Sequence, residues 1–169
     1  MNNPTLFLVP NDTDINNLDM TKVIEVDYDT YKNMEYIMDL VRDTFGEDVS
    51  KEQRFIPLSN IDSGNLKIVV QWLKMYNGNL PDADSLENTD ISQTDLNFFQ
   101  NFNLEDLRVL LLGVNYLGIN YLIELLCKMI GERIRGKTAE EMYTLLGLTR
   151  PFTAEEIELA KQSEAWVFE

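Results

Sequence analysis

Three observations predict an α+β fold. Short β-rich runs occur only in the first third of the 169-residue chain. Helical apolar periodicity takes over afterwards, so strands and helices come first and helices alone follow. The length suits one compact domain, or a small domain with an extension, and 44% hydrophobic residues are enough to fill its core.

Taken in order, residues 5–9 (TLFLV) form a strand closed by Pro10. Residues 22–26 (KVIEV) form a second, and the two can pair across a long polar connection. Tyr31, Met34, Met38, Val41 and Phe45 recur at helical spacing, and Gly46 ends that helix. Residues 54–58 (RFIPL) read as a short strand whose Pro57 suits an edge. Asp62 or Ser63 caps the next helix, which carries Leu66, Val69, Val70 and Leu73 on one face and ends near Asn77 and Gly78. Residues 78–95 hold four Asp and one Glu with no Lys or Arg, lack a lasting period and read as a mobile acidic loop. Asn103 caps a helix with Leu107, Leu110, Leu111 and Val114 inward, and Gly118 breaks it. Residues 121–135 form another helix, with Leu122, Leu125, Leu126, Met129 and Ile130 on its apolar face. Thr138 with Glu141, and Thr153 with Glu156, are capping boxes that open two short helices.

Charge and composition narrow the chemistry. The formal net charge is −15, which opposes binding to nucleic-acid phosphates and favours a basic partner face. There is no histidine, so Ser-His-Asp and Cys-His catalysis and histidine-based zinc sites are excluded within the chain. No apolar run approaches the roughly 20 residues that cross a bilayer, and the first residues lack the pattern of a signal peptide. The single cysteine, Cys127, excludes an internal disulfide and points to a reducing compartment, the cytoplasm or the nucleus.

Residues 131–138, GERIRGKT, match the phosphate-binding pattern G-x-x-x-x-G-K-[ST]. A working phosphate loop follows a buried strand and opens a helix. Here Glu132, Arg133, Ile134 and Arg135 can all continue a helix, and Ile134 keeps the apolar face of Ile130 in phase. Gly136 then supplies a left-handed helix stop, and Thr138 caps the next helix. A helix joint is therefore expected, with nucleotide binding as the competing reading. The other candidates are weaker. Residues 81–95 lack calcium-loop spacing. Cys127 reads as a buried small side chain. Asp14, Asp19, Glu25 and Asp27 read as chance clustering in an acidic chain rather than a hydrolytic pair. No metal or cofactor is implied. Met142, Leu145, Leu146, Leu148, Phe152, Ile157, Trp166, Val167 and Phe168 lie on helices too short to stand alone. Their aromatic content favours a protein interface over internal packing.

The chain also resembles the Skp family, the adaptor subunits of SCF ubiquitin ligases. The resemblance rests on DI at 90–91, NYLGI at 115–119, CK at 127–128, IRGKTAEEM at 134–142, FTAEEI at 152–157 and Trp166. IPLSNIDSGNLKIVVQWL at 56–73 looks like the family's strand-to-helix segment. It implies a BTB/POZ-like domain with a helical C-terminal extension, a non-catalytic bridge between a cullin and F-box proteins, and no cofactor. On that resemblance, residues 1–77 are the N-terminal part of the core, 78–95 an acidic flexible loop, 96–135 the helical part of the core and 136–169 the dimerisation and F-box-binding helices. Asn115 and Tyr116 would face the cullin. Ile134, Met142, Leu146, Phe152, Ile157 and Trp166 would lie on the F-box-facing surface. The chain departs from the family where Gly118 stands for an aspartate and Ala139 for a proline, and where it ends in Val167, Phe168 and Glu169. These departures leave the choice of cullin and F-box partners open, as well as self-association through the BTB-like face. A scaffold role in a kinetochore or meiotic complex is the alternative use of the same fold.

Overall fold

The computed structural model describes residues 4–44 and 54–145, together with positions 153, 155, 156 and 159. It is α+β: a small three-stranded sheet accompanies a larger set of helices. Strand β1 (Leu6–Val9) pairs antiparallel with β2 (Ile24–Val26), Leu6 opposite Val26 and Leu8 opposite Ile24. It pairs parallel with β3 (Phe55–Pro57), Phe7 opposite Phe55, giving the order β2-β1-β3. The central strand is the apolar one: Leu6, Leu8 and Val9 are buried, and Phe7 stacks on Phe55 at 4.9 Å on the other face. Pro57 sits on an edge strand, where its missing N–H leaves no gap in a ladder.

The long β1–β2 connection is tied down by polar contacts. The Asp12 carboxylate accepts from the Ser63 N–H at 2.9 Å and its hydroxyl at 2.8 Å, and pairs with Lys22 at 3.0 Å. Asp14 accepts from the Asn16 N–H, Asp19 from the Thr21 N–H and hydroxyl, and Asp27 caps the first helix through the Thr30 N–H. Those three acids each close a local turn or cap.

The helix expected from Tyr31 is divided. Helix α1 (Tyr28–Tyr31) stops and α2 (Glu35–Thr44) restarts, because the Asn33 amide takes the Asp29 carbonyl at 2.9 Å in competition with the helix ladder. The apolar face survives the break: Tyr31, Met34 and Ile37 are buried. Phe45 and Gly46 lie outside the described residues. Helix α3 (Ser63–Met75) is capped by the Asp62 carboxylate on the Asn65 N–H and buries Leu66, Val69, Val70, Trp72 and Leu73.

The segment 78–95, expected to be a loop without structure, is instead folded. It holds α4 (Ser85–Asn88) and the start of α5 (Gln93–Phe99), with Leu86, Ile91 and Asp95 buried. The Asp95 carboxylate is fully buried and accepts from Trp72 Nε1 (2.9 Å), the Tyr76 hydroxyl (2.8 Å) and the Ser92 hydroxyl (2.7 Å). Lys128 donates to the Leu86 and Thr89 carbonyls. Short apolar anchors and one acid hold the segment, and none of them creates a periodic signal. Helices α6 (Leu104–Leu117) and α7 (Asn120–Ile134) form the most extensive helix pair, and α8 (Ala139–Leu145) follows. Asn103 and Asp106 cap α6 reciprocally. No described helix is long and apolar enough to cross a membrane.

Candidate functional site

Two surfaces gather the residues singled out by sequence. The first is the α6–α7 turn. Gly118 ends α6 with φ 69°, its N–H shared between the Val114 and Asn115 carbonyls at 3.0 and 3.2 Å. A glycine takes this left-handed position without strain. It also leaves room for α2, since a Cβ at 118 would stand 2.9 Å from Glu35 Cβ. Glu35 uses that space: its N–H reaches the Gly118 carbonyl at 3.4 Å, and its carboxylate accepts from the Asn120 amide at 2.8 Å. Asn115 is exposed beside this turn and Tyr116 is half-buried. The Tyr116 ring lies 4.8 Å from Tyr36, and its hydroxyl accepts from the Ser59 N–H at 3.4 Å. A hydrogen bond between the two tyrosines and partial burial raise the pKa of Tyr36, so its phenol stays protonated at physiological pH. The structure thus brings Asn115 and Tyr116 together with Tyr36 and Ser59, two neighbours that sequence reading missed. Tyr36 had a faint signal: it falls between the inward positions Met34 and Ile37 and so faces out. Ser59 had none, because it takes part through its backbone.

The second surface begins at the GERIRGKT joint. Residues Gly131 to Ile134 are helical and belong to α7. The Arg135 N–H bonds the Gly131 carbonyl at 3.0 Å and the Lys137 N–H bonds the Ile134 carbonyl at 3.1 Å. Gly136 has φ 74°. The Thr138 hydroxyl accepts from the Glu141 N–H at 3.3 Å, and the Glu141 carboxylate accepts from the Thr138 N–H at 2.8 Å. Those bonds to Thr138 lower the pKa of Glu141. A phosphate cradle needs a run of free N–H groups after a strand. This stretch spends its N–H groups on a helix, its stop and the next cap, and it follows a helix. Lys137 is exposed.

Ile134 and Met142 are both half-buried on either side of the joint, and Leu145 is 40% exposed. Thr153 and Glu156 form the second capping box, at 2.8 and 3.2 Å. Leu146, Phe152, Ile157 and Trp166 lie outside the described residues.

Cys127 corrects an expectation. It faces solvent on α7 rather than the core, because the inward stripe passes through Leu122, Leu125, Leu126 and Met129 and leaves position 127 outside. Partial burial and the neighbouring Glu124 carboxylate push its thiol up, away from a reactive thiolate. Among the described residues no group of acids and cysteine could hold a metal ion. An open groove of about 570 Å³ runs between Lys32, Glu35, Pro81, Asp84, Asn120 and Glu124. Its lining offers side chains that solvate and pair, without a nucleophile beside a base.

Residues 120–167, from the start of α7 onward, match the model of the Skp1 family, dimerisation domain. An E3 ubiquitin ligase complex SCF subunit sconC from Arthroderma otae is 32% identical over 126 residues, covering 71% of this chain and 76% of the relative. The chain belongs to the Skp1 family. SKP1-like protein 12 of Arabidopsis thaliana is 33% identical over 116 residues (68% of this chain, 73% of the relative). SKP1-like protein 5 of the same plant is 28% identical over 153 residues (88% and 92%). The Skp1-family match opens at Asn120, the residue that clasps Glu35, so the turn at Gly118 marks where the matched region meets the rest of the fold.

Proposed function

We propose that this Skp1-family chain is a non-catalytic adaptor of an SCF-type E3 ubiquitin ligase. In this reading residues 1–77 and 96–135, joined by the acidic segment 78–95, form a BTB/POZ-like core that binds a cullin through Asn115 and Tyr116. F-box substrate receptors are bound through Ile134 at the end of α7 and, beyond the joint at Gly136, through Met142, Leu146, Phe152, Ile157 and Trp166. The observation that carries the proposal is the likeness to an SCF subunit across most of both chains. The helix joint at Gly136 supports it, because it spends on secondary structure the residues that a nucleotide enzyme would need free.

The mechanism is positional. One chain holds two partners at once, so a substrate bound by the F-box protein stays near the ubiquitin-transfer machinery at high effective concentration. The adaptor itself moves no proton and makes no bond. It works in the cytoplasm, the nucleus or both. Affinity purification from the native cells tests this: recovery of a cullin with several F-box proteins is expected. Recovery of kinetochore or meiotic chromosome proteins without a cullin would replace the reading with the scaffold alternative.

A further inference from the structure

We infer that Thr89 is a phosphoacceptor for an acid-directed protein kinase, and that its phosphate unlatches residues 80–91, which lie as a strap against α7. This site stands whether or not the chain is an adaptor, since neither proposed partner face includes residues 80–91.

The strap is held by two apolar anchors and one cation. Leu86 is 4% exposed and Ile91 8%. Between them Lys128 reaches over from α7 and donates to the Leu86 carbonyl at 2.8 Å and the Thr89 carbonyl at 2.5 Å. Residues 78–95 contain no Lys or Arg, so the latch borrows its cation from another element. Asp82, Asp84, Glu87 and Asp90 are all exposed on the same strap. Within it, the Thr89 hydroxyl donates to the Ser85 carbonyl at 2.7 Å and closes the last turn of α4, for which Thr89 is the C-cap.

Four hydroxyls lie in this stretch, and their surroundings separate them. Ser85 is in α4 and Thr94 in α5, whereas a kinase cleft takes its substrate as an extended chain. The Ser92 hydroxyl caps α5 and donates to the buried Asp95 carboxylate. Thr89 is exposed and lies in extended backbone (φ −124°, ψ 152°) between the two helices, with Glu87 and Asp90 on either side. In the transfer, Thr89 Oγ1 forms a bond to the γ-phosphorus of a nucleoside triphosphate. The bond from that phosphorus to its bridging oxygen breaks and the nucleoside diphosphate leaves. The hydroxyl proton passes to the carboxylate of the kinase.

The product cannot keep the local geometry. The Thr89 oxygen has lost its proton, so it has nothing to donate to the Ser85 carbonyl, and the last turn of α4 opens. Phosphate adds about −1.5 to −2 charges at neutral pH, and at a helix C-terminus beside acids such charge is disruptive. It also competes for Lys128, because an ammonium bonds a charged oxygen more strongly than a neutral carbonyl. Once Lys128 leaves, the Leu86 and Thr89 carbonyls lose their donor and Leu86 loses the turn that holds it inward. The release stops before α5, which Asp95 fastens to Trp72 and Tyr76.

The test uses the full chain, an acid-directed Ser/Thr kinase and ATP. Mass spectrometry maps the phosphate and amide hydrogen exchange follows the strap. Phosphate is expected on Thr89, and Thr89→Val should abolish it. In the phosphorylated chain, exchange over residues 85–91 should quicken about tenfold, as loss of one or two hydrogen bonds does. Residues 104–117 in α6 should keep their wild-type protection, which reports an intact fold. Lys128→Ala should open the strap without phosphate, and Thr94→Glu, exposed on α5, should leave it closed. No phosphate on Thr89, whether the kinase labels another hydroxyl or none, overturns the site. Phosphorylated Thr89 with unchanged or stronger protection of the strap overturns the unlatching, because phosphate and Lys128 would then clamp it shut. Wild-type exchange in Lys128→Ala overturns the latch.

Discussion

Replacing Asp95 with alanine should be among the most damaging single changes available in this chain, although the residue lies in a stretch that looks like a solvated loop. Its carboxylate is fully buried and accepts three hydrogen bonds at 2.7–2.9 Å, from Trp72, Tyr76 and Ser92. Burial and the hydrogen bond to Asp95 push the Tyr76 hydroxyl far above its ordinary value, so it stays a donor at any working pH. The Ser92 and Tyr76 hydroxyls can turn to other acceptors after the change, but the Trp72 indole N–H cannot. A lost hydrogen bond to a charged group costs about 1.5–3 kcal/mol and an orphaned buried donor about 1–3 kcal/mol more. Some of this is offset because a charge no longer has to be buried. A net loss of about 3–4 kcal/mol follows, against the roughly 5–15 kcal/mol of total stability typical of a domain. At about 2–4 °C per kcal/mol, the melting temperature should fall by about 6–16 °C. Urea unfolding followed by circular dichroism gives the free energy directly. Asp95→Asn, which keeps one acceptor oxygen, should lose clearly less than Asp95→Ala. A loss under about 1 kcal/mol for Asp95→Ala would refute the reasoning, since it lies below the low end for a single charged hydrogen bond.

Three further outcomes are expected. Gly118→Asp, which restores the residue usual in the family, should lower stability by about 1–2 kcal/mol from left-handed backbone strain. Glu35 Cβ would also stand 2.9 Å from the new Cβ, and an unchanged thermal midpoint would contradict this. Lys137→Ala should change stability by no more than about 0.5 kcal/mol, as surface changes do. Calorimetry should find no ATP or GTP binding in wild type for that change to abolish. The third concerns acid. Burial alone would raise Asp12, but the bonds from Lys22 and Ser63 outweigh it and lower its carboxyl from 3.8 to about 2. Its contribution to stability is therefore complete above about pH 4 and is lost as the pH falls through the folded value. Asp12→Asn should flatten that part of an acid-unfolding curve, and an unchanged acid limb would show that Asp12 is not responsible.

Much of the fold is legible in the sequence wherever a local rule governs it. The caps at Asp62, Asn103 and Thr138 and the stop at Gly118 follow from backbone groups that must be satisfied within a few residues. Pro57 marked an edge strand because its missing donor fits few other places. The sequence misleads where a distant partner decides. Asp95 looks like one more acid in an acidic run until Trp72 and Tyr76 supply donors from α3. Tyr31 to Phe45 reads as one helix because the apolar period survives the break at Asn33. Cys127 was placed inside by residue type, while the phase of α7 puts it outside. At the candidate site, Asn115 and Tyr116 were legible only through the family motif. Tyr36 emerges from which helix faces remain uncovered after folding, and a linear pattern carries little of that.

The central claim is that one chain binds two different partners at the same time without chemistry of its own. The most direct measurement mixes the purified chain with a full-length cullin and a full-length F-box protein and weighs the products by light scattering after size exclusion. The account predicts a single species whose mass equals one copy of each, and no such species when the chain is left out. Two binary complexes that compete for the chain, or a cullin–F-box complex that forms equally well without it, would contradict the account.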